Sequence, residues 1–365
     1  MNTPMPRAGT GKMQSIEGAR GIAALMVVFM HCAHLMRVPA FTGHVGLGGI
    51  FDFGYVGVDF FFVLSGFIIT YVHFADIGKP ARLGSYLWRR LTRIYPIYWI
   101  CVALYIVVQL AGRIFLGKAA PFELGVNDIL PTVFLVRTDT PTAIGVAWSL
   151  QYEIMFYFAF CVLLFHKRGG LVALLLWSLG CVSQLNLSGI GDPSIGLFSA
   201  SSLQFLMGVG IGWIARTPRD IRPFKGALAC AVLAFAAGVW LECSVLPAHS
   251  DLGRLALGAA SAGVLWILVE LEKHGRIQTP HWLARIGSVS YSVYLTHVLF
   301  INLSYSVLVH LGIYHALPEW LVFAIGFAGG LATSACLGFF IELPLVARLK
   351  DLYGRAGKDP AHKEA

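Results

Sequence analysis

The chain has 365 residues, of which 57% are hydrophobic and only 13% charged, with a mean hydropathy of +0.72 and a formal net charge of +8. A water-soluble domain does not reach that balance, so the composition excludes a soluble enzyme and indicates a polytopic membrane protein of all-α class. The basic charge would suit a nucleic-acid partner only if it were clustered on one soluble face, and it is not.

Ten apolar stretches are long enough to cross a hydrocarbon core of about 30 Å: 21–37, 55–74, 95–116, 147–165, 169–187, 197–215, 225–243, 254–271, 289–310 and 320–341. Ten helices would place both termini on one side. With that side cytoplasmic, 22 of the 27 Lys and Arg residues fall in inside segments, leaving Arg37, Arg113, Lys118, Arg137 and Arg254 outside. This follows the positive-inside rule and accounts for the net charge without nucleic acid.

No small-residue cleavage site follows the first stretch, which therefore reads as an uncleaved signal-anchor. It contains RGIAALMVVFMH, in which Arg20 and His31 are eleven positions apart. In a helix that puts them on nearly one face and about 16 Å apart along the axis. Ionisable groups inside spans are costly and therefore candidate functional groups. The plainer alternative for His31 is a neutral imidazole making one interhelical hydrogen bond. The second stretch carries Asp59 in GVDFFFVLSGF, near the outer end.

The segment LWRRLTRIYPIYW comes next. Arg89, Arg90 and Arg93 precede Pro96, which is expected in the first turn of the third helix. Arginine forks at a helix N-terminus suit a phosphate, through bidentate hydrogen bonds and the helix dipole; topogenic charge is the competing explanation. The outside loop 113–146 contains Pro121, Pro131 and Pro141 and is too short to be a domain. The fourth helix carries Glu153 in AWSLQYEIMFY. In the ninth, Ser290, Tyr294 and His297 share a face, and Glu342 closes the tenth in FFIELPL. Residues 1–345 form one membrane domain in this reading, and 346–365 a polar, disordered cytoplasmic tail.

The seven cysteines show no metal-ligand spacing and no metal site is expected. The soluble acyltransferase pattern of His and Asp five residues apart, G-x-S-x-G, H-E-x-x-H, a Walker loop and D-x-D are all absent from the sequence. Metal and nucleotide hydrolysis lose support. A transporter of an acyl donor or lipid-linked sugar remains the rival class, although no inverted repeat is visible.

The ordered set SIEGARGIAALMVVFMH, GVDFFFVLSGFIIT, RRLTRIYPIYW, AWSLQYEIMFY, GSVSYSVYLTH and IELP resembles the membrane acyltransferase-3 family over nearly the whole chain. Stand-alone exopolysaccharide and O-antigen O-acetyltransferases of that family are the nearest in type. Many members have Trp and Pro shortly after the ninth-helix histidine, where this chain has Val298 and Leu299.

The resemblance implies an enzyme of the bacterial inner membrane that moves an acyl group, acetyl foremost, from cytoplasmic acyl-CoA to a hydroxyl of a surface polysaccharide or its lipid-linked precursor. Acetyl-CoA is then a donor substrate, with no permanently bound cofactor. Membrane lipid, polysaccharide-assembly machinery and a second copy of the chain are the other expected partners. Arg20, Arg90 and Arg93 would hold the CoA phosphates. His31 would be the base or acyl carrier. Glu153, favoured over Asp59, would orient it, and Asp59, Trp148, Tyr152, Tyr294 and His297 would line the substrate site.

Overall fold

The computed structural model describes residues 13–116, 126–136, 143–186, 196–217, 226–246 and 249–356. Among these, the elements are all helical. Ten principal helices coincide with the ten apolar stretches: α1 Gln14–Leu35, α2 Val56–His73, α3 Leu83–Leu116, α5 Trp148–Phe165, α6 Lys167–Ser183, α7 Ala200–Arg216, α8 Ala227–Ser244, α9 Asp251–Lys273, α11 Ser290–His310 and α12 Glu319–Leu337. The short helices α4 Val126–Phe134 and α10 His281–Ser288 lie between them, and α13 Leu343–Ala356 follows a π-helical turn at Gly338–Glu342. Among the described residues, eight segments are long and apolar enough to cross a membrane. The two principal helices that fall short of that length, α6 and α7, have 17 residues each, the lower end of what spans a bilayer.

Two boundaries differ from the sequence reading. Helix α3 begins at Leu83, so Pro96 sits within it and the three arginines lie on the helix body. Proline costs a helix one N–H and a carbonyl clash, a cost that membrane helices tolerate when neighbouring groups re-satisfy the backbone. Helix-dipole binding at a helix start is therefore not available to Arg89, Arg90 or Arg93. The division expected after residue 345 falls inside α13, so residues 346–356 are helical. Arg137, Lys118, Pro121, Pro141, Arg219 and residues 357–365 lie outside the described residues.

Helix α1 is the centre of the bundle: 72% of its apolar window is buried, against 11% for α8. Its first turn is tied down by α9, where the Glu272 carboxylate accepts from the backbone N–H groups of Gln14 (2.7 Å) and Ser15 (2.9 Å) and from the Ser15 hydroxyl. That satisfies two of the four orphan donors of a helix start. Helices α2 and α7 pack backbone to backbone through glycines. A Cβ built on Gly66 would lie 2.0 Å from the Phe205 carbonyl oxygen, and one on Gly208 would lie 1.9 Å from that of Val63. Small residues permit such approach, and dispersion and close packing hold helices together in lipid, where the hydrophobic effect gives little. The largest buried cluster runs from Ile94 and Tyr98 on α3 through Leu150, Phe156 and Phe160 on α5 to Phe205 on α7.

Candidate active site

Two cavities lie end to end beside α1. The larger, of about 640 Å³, opens at the end of the bundle where α1 starts, and its wall includes Glu17, Arg20, His73, Arg89, Arg90, Arg93, Glu342 and Lys350. The smaller, of about 90 Å³, lies deeper and is lined by Val58, Phe62, Ser65, Ser149, Leu150, Glu153, Ser290 and Tyr294 among others. Arg20, Ile68 and Arg93 line both, which makes them the neck between the two.

The basin is electropositive by construction. Arg90 is 6% exposed, with its guanidinium carbon 6.0 Å from the Tyr86 ring centroid and 5.9 Å from that of Tyr157. This cation–π sandwich fixes its direction. Its Nε is buried and has no partner among the described residues, as is true of His73 Nε2. The other ring nitrogen of His73 lies 2.9 Å from the Asp76 carboxylate.

At the neck, Arg20 Nη1 lies 3.3 Å from Glu17 Oε2, one turn earlier on α1. The carboxylates of Glu153, Glu17 and Glu342 are all within electrostatic reach of Arg93. Glu342 also accepts from the Ser292 backbone N–H (3.1 Å) and hydroxyl (2.7 Å), anchoring the start of α11.

Glu153 thus belongs to the arginine neck. It accepts from the Tyr157 hydroxyl at 2.5 Å, and among the described residues it makes no hydrogen bond to His31. The expectation that it orients this histidine is replaced by another pairing: His297 Nε2 lies 3.1 Å from His31 Nδ1. Both rings turn Nδ1 toward the carbonyl one turn back, His31 to Val27 and His297 to Val293, each at 2.9 Å. A carbonyl only accepts, so each Nδ1 carries the proton of a neutral imidazole. His297 Nε2 is then an acceptor facing the His31 Nδ1–H, and His31 Nε2 is left as the unprotonated nitrogen. That is the tautomer of a general base.

Tyr294 connects this pair to the deeper cavity. It lies one turn from His297 on α11, with ring centroids 6.2 Å apart. Its hydroxyl donates to the Val146 carbonyl at 3.1 Å and accepts from Ser149 at 2.8 Å.

The remaining residues expected at the site lie elsewhere. Asp59 is 3% exposed and accepts from Gln204 at 2.8 Å, with Arg254 and Glu242 as electrostatic neighbours, in a cluster formed by α2, α7, α8 and α9. Trp148 and Tyr152 pack against Phe62, at centroid distances of 6.2 and 5.3 Å, and line neither cavity. Sequence reasoning passed over Tyr157, His73 and the fully buried Glu242 of α8. Tyr157 had a visible signal, since it follows Glu153 by four residues, whereas the others become apparent only through tertiary contact.

The acyltransferase domain model of the acyltransferase-3 family matches residues 13–339. The exopolysaccharide production protein ExoZ of Rhizobium meliloti is 26% identical over 72% of this chain and 79% of its own length. The acyltransferase MdmB of Streptomyces mycarofaciens is 24% identical over 80% and 79% of the two chains. Nodulation protein 10 of Rhizobium leguminosarum bv. viciae is 24% identical over 96% and 98%. No solved structure matches the chain. With the family model covering nearly its whole length, the chain belongs to the acyltransferase-3 family of multi-pass membrane acyltransferases.

Proposed function

We propose that this protein takes an acyl group from acyl-CoA at the cytoplasmic face of a bacterial inner membrane and transfers it to a hydroxyl of a surface glycan or its lipid-linked precursor. One observation carries the reading: α1 joins an arginine-walled basin at its start to a base-competent histidine pair near its end, with a small cavity between. The positive-inside bias supports a cytoplasmic basin, and the name of the Rhizobium meliloti relative, an exopolysaccharide production protein, supports a polysaccharide acceptor.

Arg89 and Arg90 face the open basin and take the phosphates of the donor. Arg93 and Arg20 hold the neck, where their charge balances Glu153, Glu17 and Glu342. The pantetheine arm runs along α1 through the neck and presents the thioester below His31.

His31 Nε2 removes the proton of the acceptor hydroxyl as its oxygen attacks the thioester carbonyl carbon. The tetrahedral species collapses with cleavage of the C–S bond, and the imidazolium returns its proton to the departing CoA thiolate. The products are an ester and free CoA, with no acyl-enzyme. His297 holds the His31 tautomer and stabilises the imidazolium through Nε2.

Purified protein incubated with labelled acetyl-CoA and extracted glycan tests the proposal. Labelled ester on the glycan is the expected result. Donor binding without ester formation would instead fit a carrier of the donor.

A further inference from the structure

The deeper cavity has no role in binding phosphates and lies short of the histidine pair, yet any thioester coming through the neck must enter it. We propose that it is the acyl-group pocket, and that Val58, Phe62 and Leu150 limit the transferred group to a short acyl chain. The inference rests on the acyl-CoA reading above and adds the selectivity of that same site.

Position is the first argument. The cavity shares Arg20, Ile68 and Arg93 with the basin, and Tyr294 in its wall is one helical turn from His297. A carbonyl carbon held there is between the donor arm and the base.

Size is the second. A protein cavity of about 150 Å³ holds benzene, with its six carbons. At about 90 Å³, this one has room for roughly three or four heavy atoms on the same scale. An acetyl group has three and fits, whereas a hexanoyl chain does not.

The wall supplies the third argument. Val58, Phe62 and Leu150 are 9%, 3% and 3% exposed and belong to the main buried cluster with Tyr152 and Phe156. Interiors at that density cannot retreat by several methylenes without loss elsewhere. The remaining wall carries both signs of charge, Arg20 and Arg93 beside Glu153, so succinyl is excluded by size: its roughly seven heavy atoms are about twice what the cavity holds on the same scale.

The test compares labelled acetyl-, hexanoyl- and succinyl-CoA with extracted glycan for the wild type, Leu150→Ala and Ser65→Leu, alongside calorimetric binding of free CoA. Ser65 lines the cavity from α2. The wild type should prefer acetyl over both other donors by at least tenfold in kcat/KM. Leu150→Ala should lower the acetyl-to-hexanoyl ratio at least tenfold. Ser65→Leu fills the cavity and should cut acetyl transfer at least tenfold while free CoA binds as in the wild type.

Equal use of hexanoyl and acetyl by the wild type would overturn the pocket assignment. So would ester formation with unchanged acyl preference in both variants. Absence of ester from every donor with wild-type protein would instead remove the acyltransferase reading, and the pocket with it.

Discussion

His297 Nε2 lies 3.1 Å from His31 Nδ1 across the α1–α11 interface, and the two rings are not equivalent. Each Nδ1 is committed to a backbone carbonyl on its own helix, so only one ring can offer the other an unprotonated nitrogen at their contact, and that ring is His297. His31→Gln should therefore insert and bind CoA normally but lose transfer by about 10²- to 10⁴-fold, the usual contribution of a general base. Ester formation at near the wild-type rate by this variant would end the assignment of His31 as the base.

The same asymmetry separates positioning from catalysis. His297→Ala should lower kcat with little change in KM for the donor, by roughly a factor of ten or more if one hydrogen bond to the developing imidazolium is lost. His297→Gln retains an amide oxygen able to accept from His31 Nδ1–H and should recover part of that loss. Equal activity in the Ala and Gln variants would show that acceptance at this point does not matter.

Donor affinity should respond to the basin arginines. Arg90→Ala removes a guanidinium held between Tyr86 and Tyr157, and the loss of a charge-assisted contact costs about 1.5–3 kcal/mol, a weakening of roughly ten- to a hundredfold. Arg93→Ala should weaken binding as well, because it leaves Glu153, Glu17 and Glu342 less compensated beside the path of an anionic donor. Arg93→Lys keeps the charge without the fork and should restore only part. Calorimetric titration with CoA reads all three, and unchanged affinity in both alanine variants would make the cluster topogenic only.

Orientation is open to a direct check. Arg82 lies in the exposed connection between α2 and α3, and Ile313, 40% exposed, in that between α11 and α12. In a background without the seven cysteines, Arg82→Cys should react with a membrane-impermeant maleimide only after the cells are opened, and Ile313→Cys in intact cells. The reverse pattern would invert the topology and place the basin outside.

What could be read in the sequence was whatever depends on one helix at a time. Span positions follow from hydropathy. The common face of Arg20 and His31 follows from helical periodicity, as does that of Arg90 and Arg93. What depends on how helices rotate about one another was not legible. Asp59 and Glu153 were both candidate partners for His31, with Glu153 favoured, yet packing sends one to Gln204 and the other to Tyr157 and the arginine neck. The pairing of His31 with His297, 266 residues apart in sequence, leaves no trace in local pattern. Pro96 misled because a proline in a helix start and a proline in a membrane helix interior have the same sequence context here, and neighbouring helices decide which is tolerated.

The glycine contact between α2 and α7 gives the last prediction. It sets the position of α2, which contributes Val58, Phe62 and Ser65 to the deeper cavity. With the Cβ of a substituted Gly208 falling 1.9 Å from the Val63 carbonyl oxygen, the two backbones must separate, since a carbonyl in a helix cannot rotate away. Overpacking of this kind typically costs about 1–3 kcal/mol. Gly208→Ala should therefore lower the thermal unfolding midpoint in detergent, and Gly66→Ala on the facing helix should do the same. Gly210, two residues along on α7, has nothing within 4 Å of a built Cβ, so Gly210→Ala should leave stability unchanged or raise it slightly through better helix propensity. Equal midpoints for Gly208→Ala and Gly210→Ala would mean that α2 and α7 do not meet along this seam.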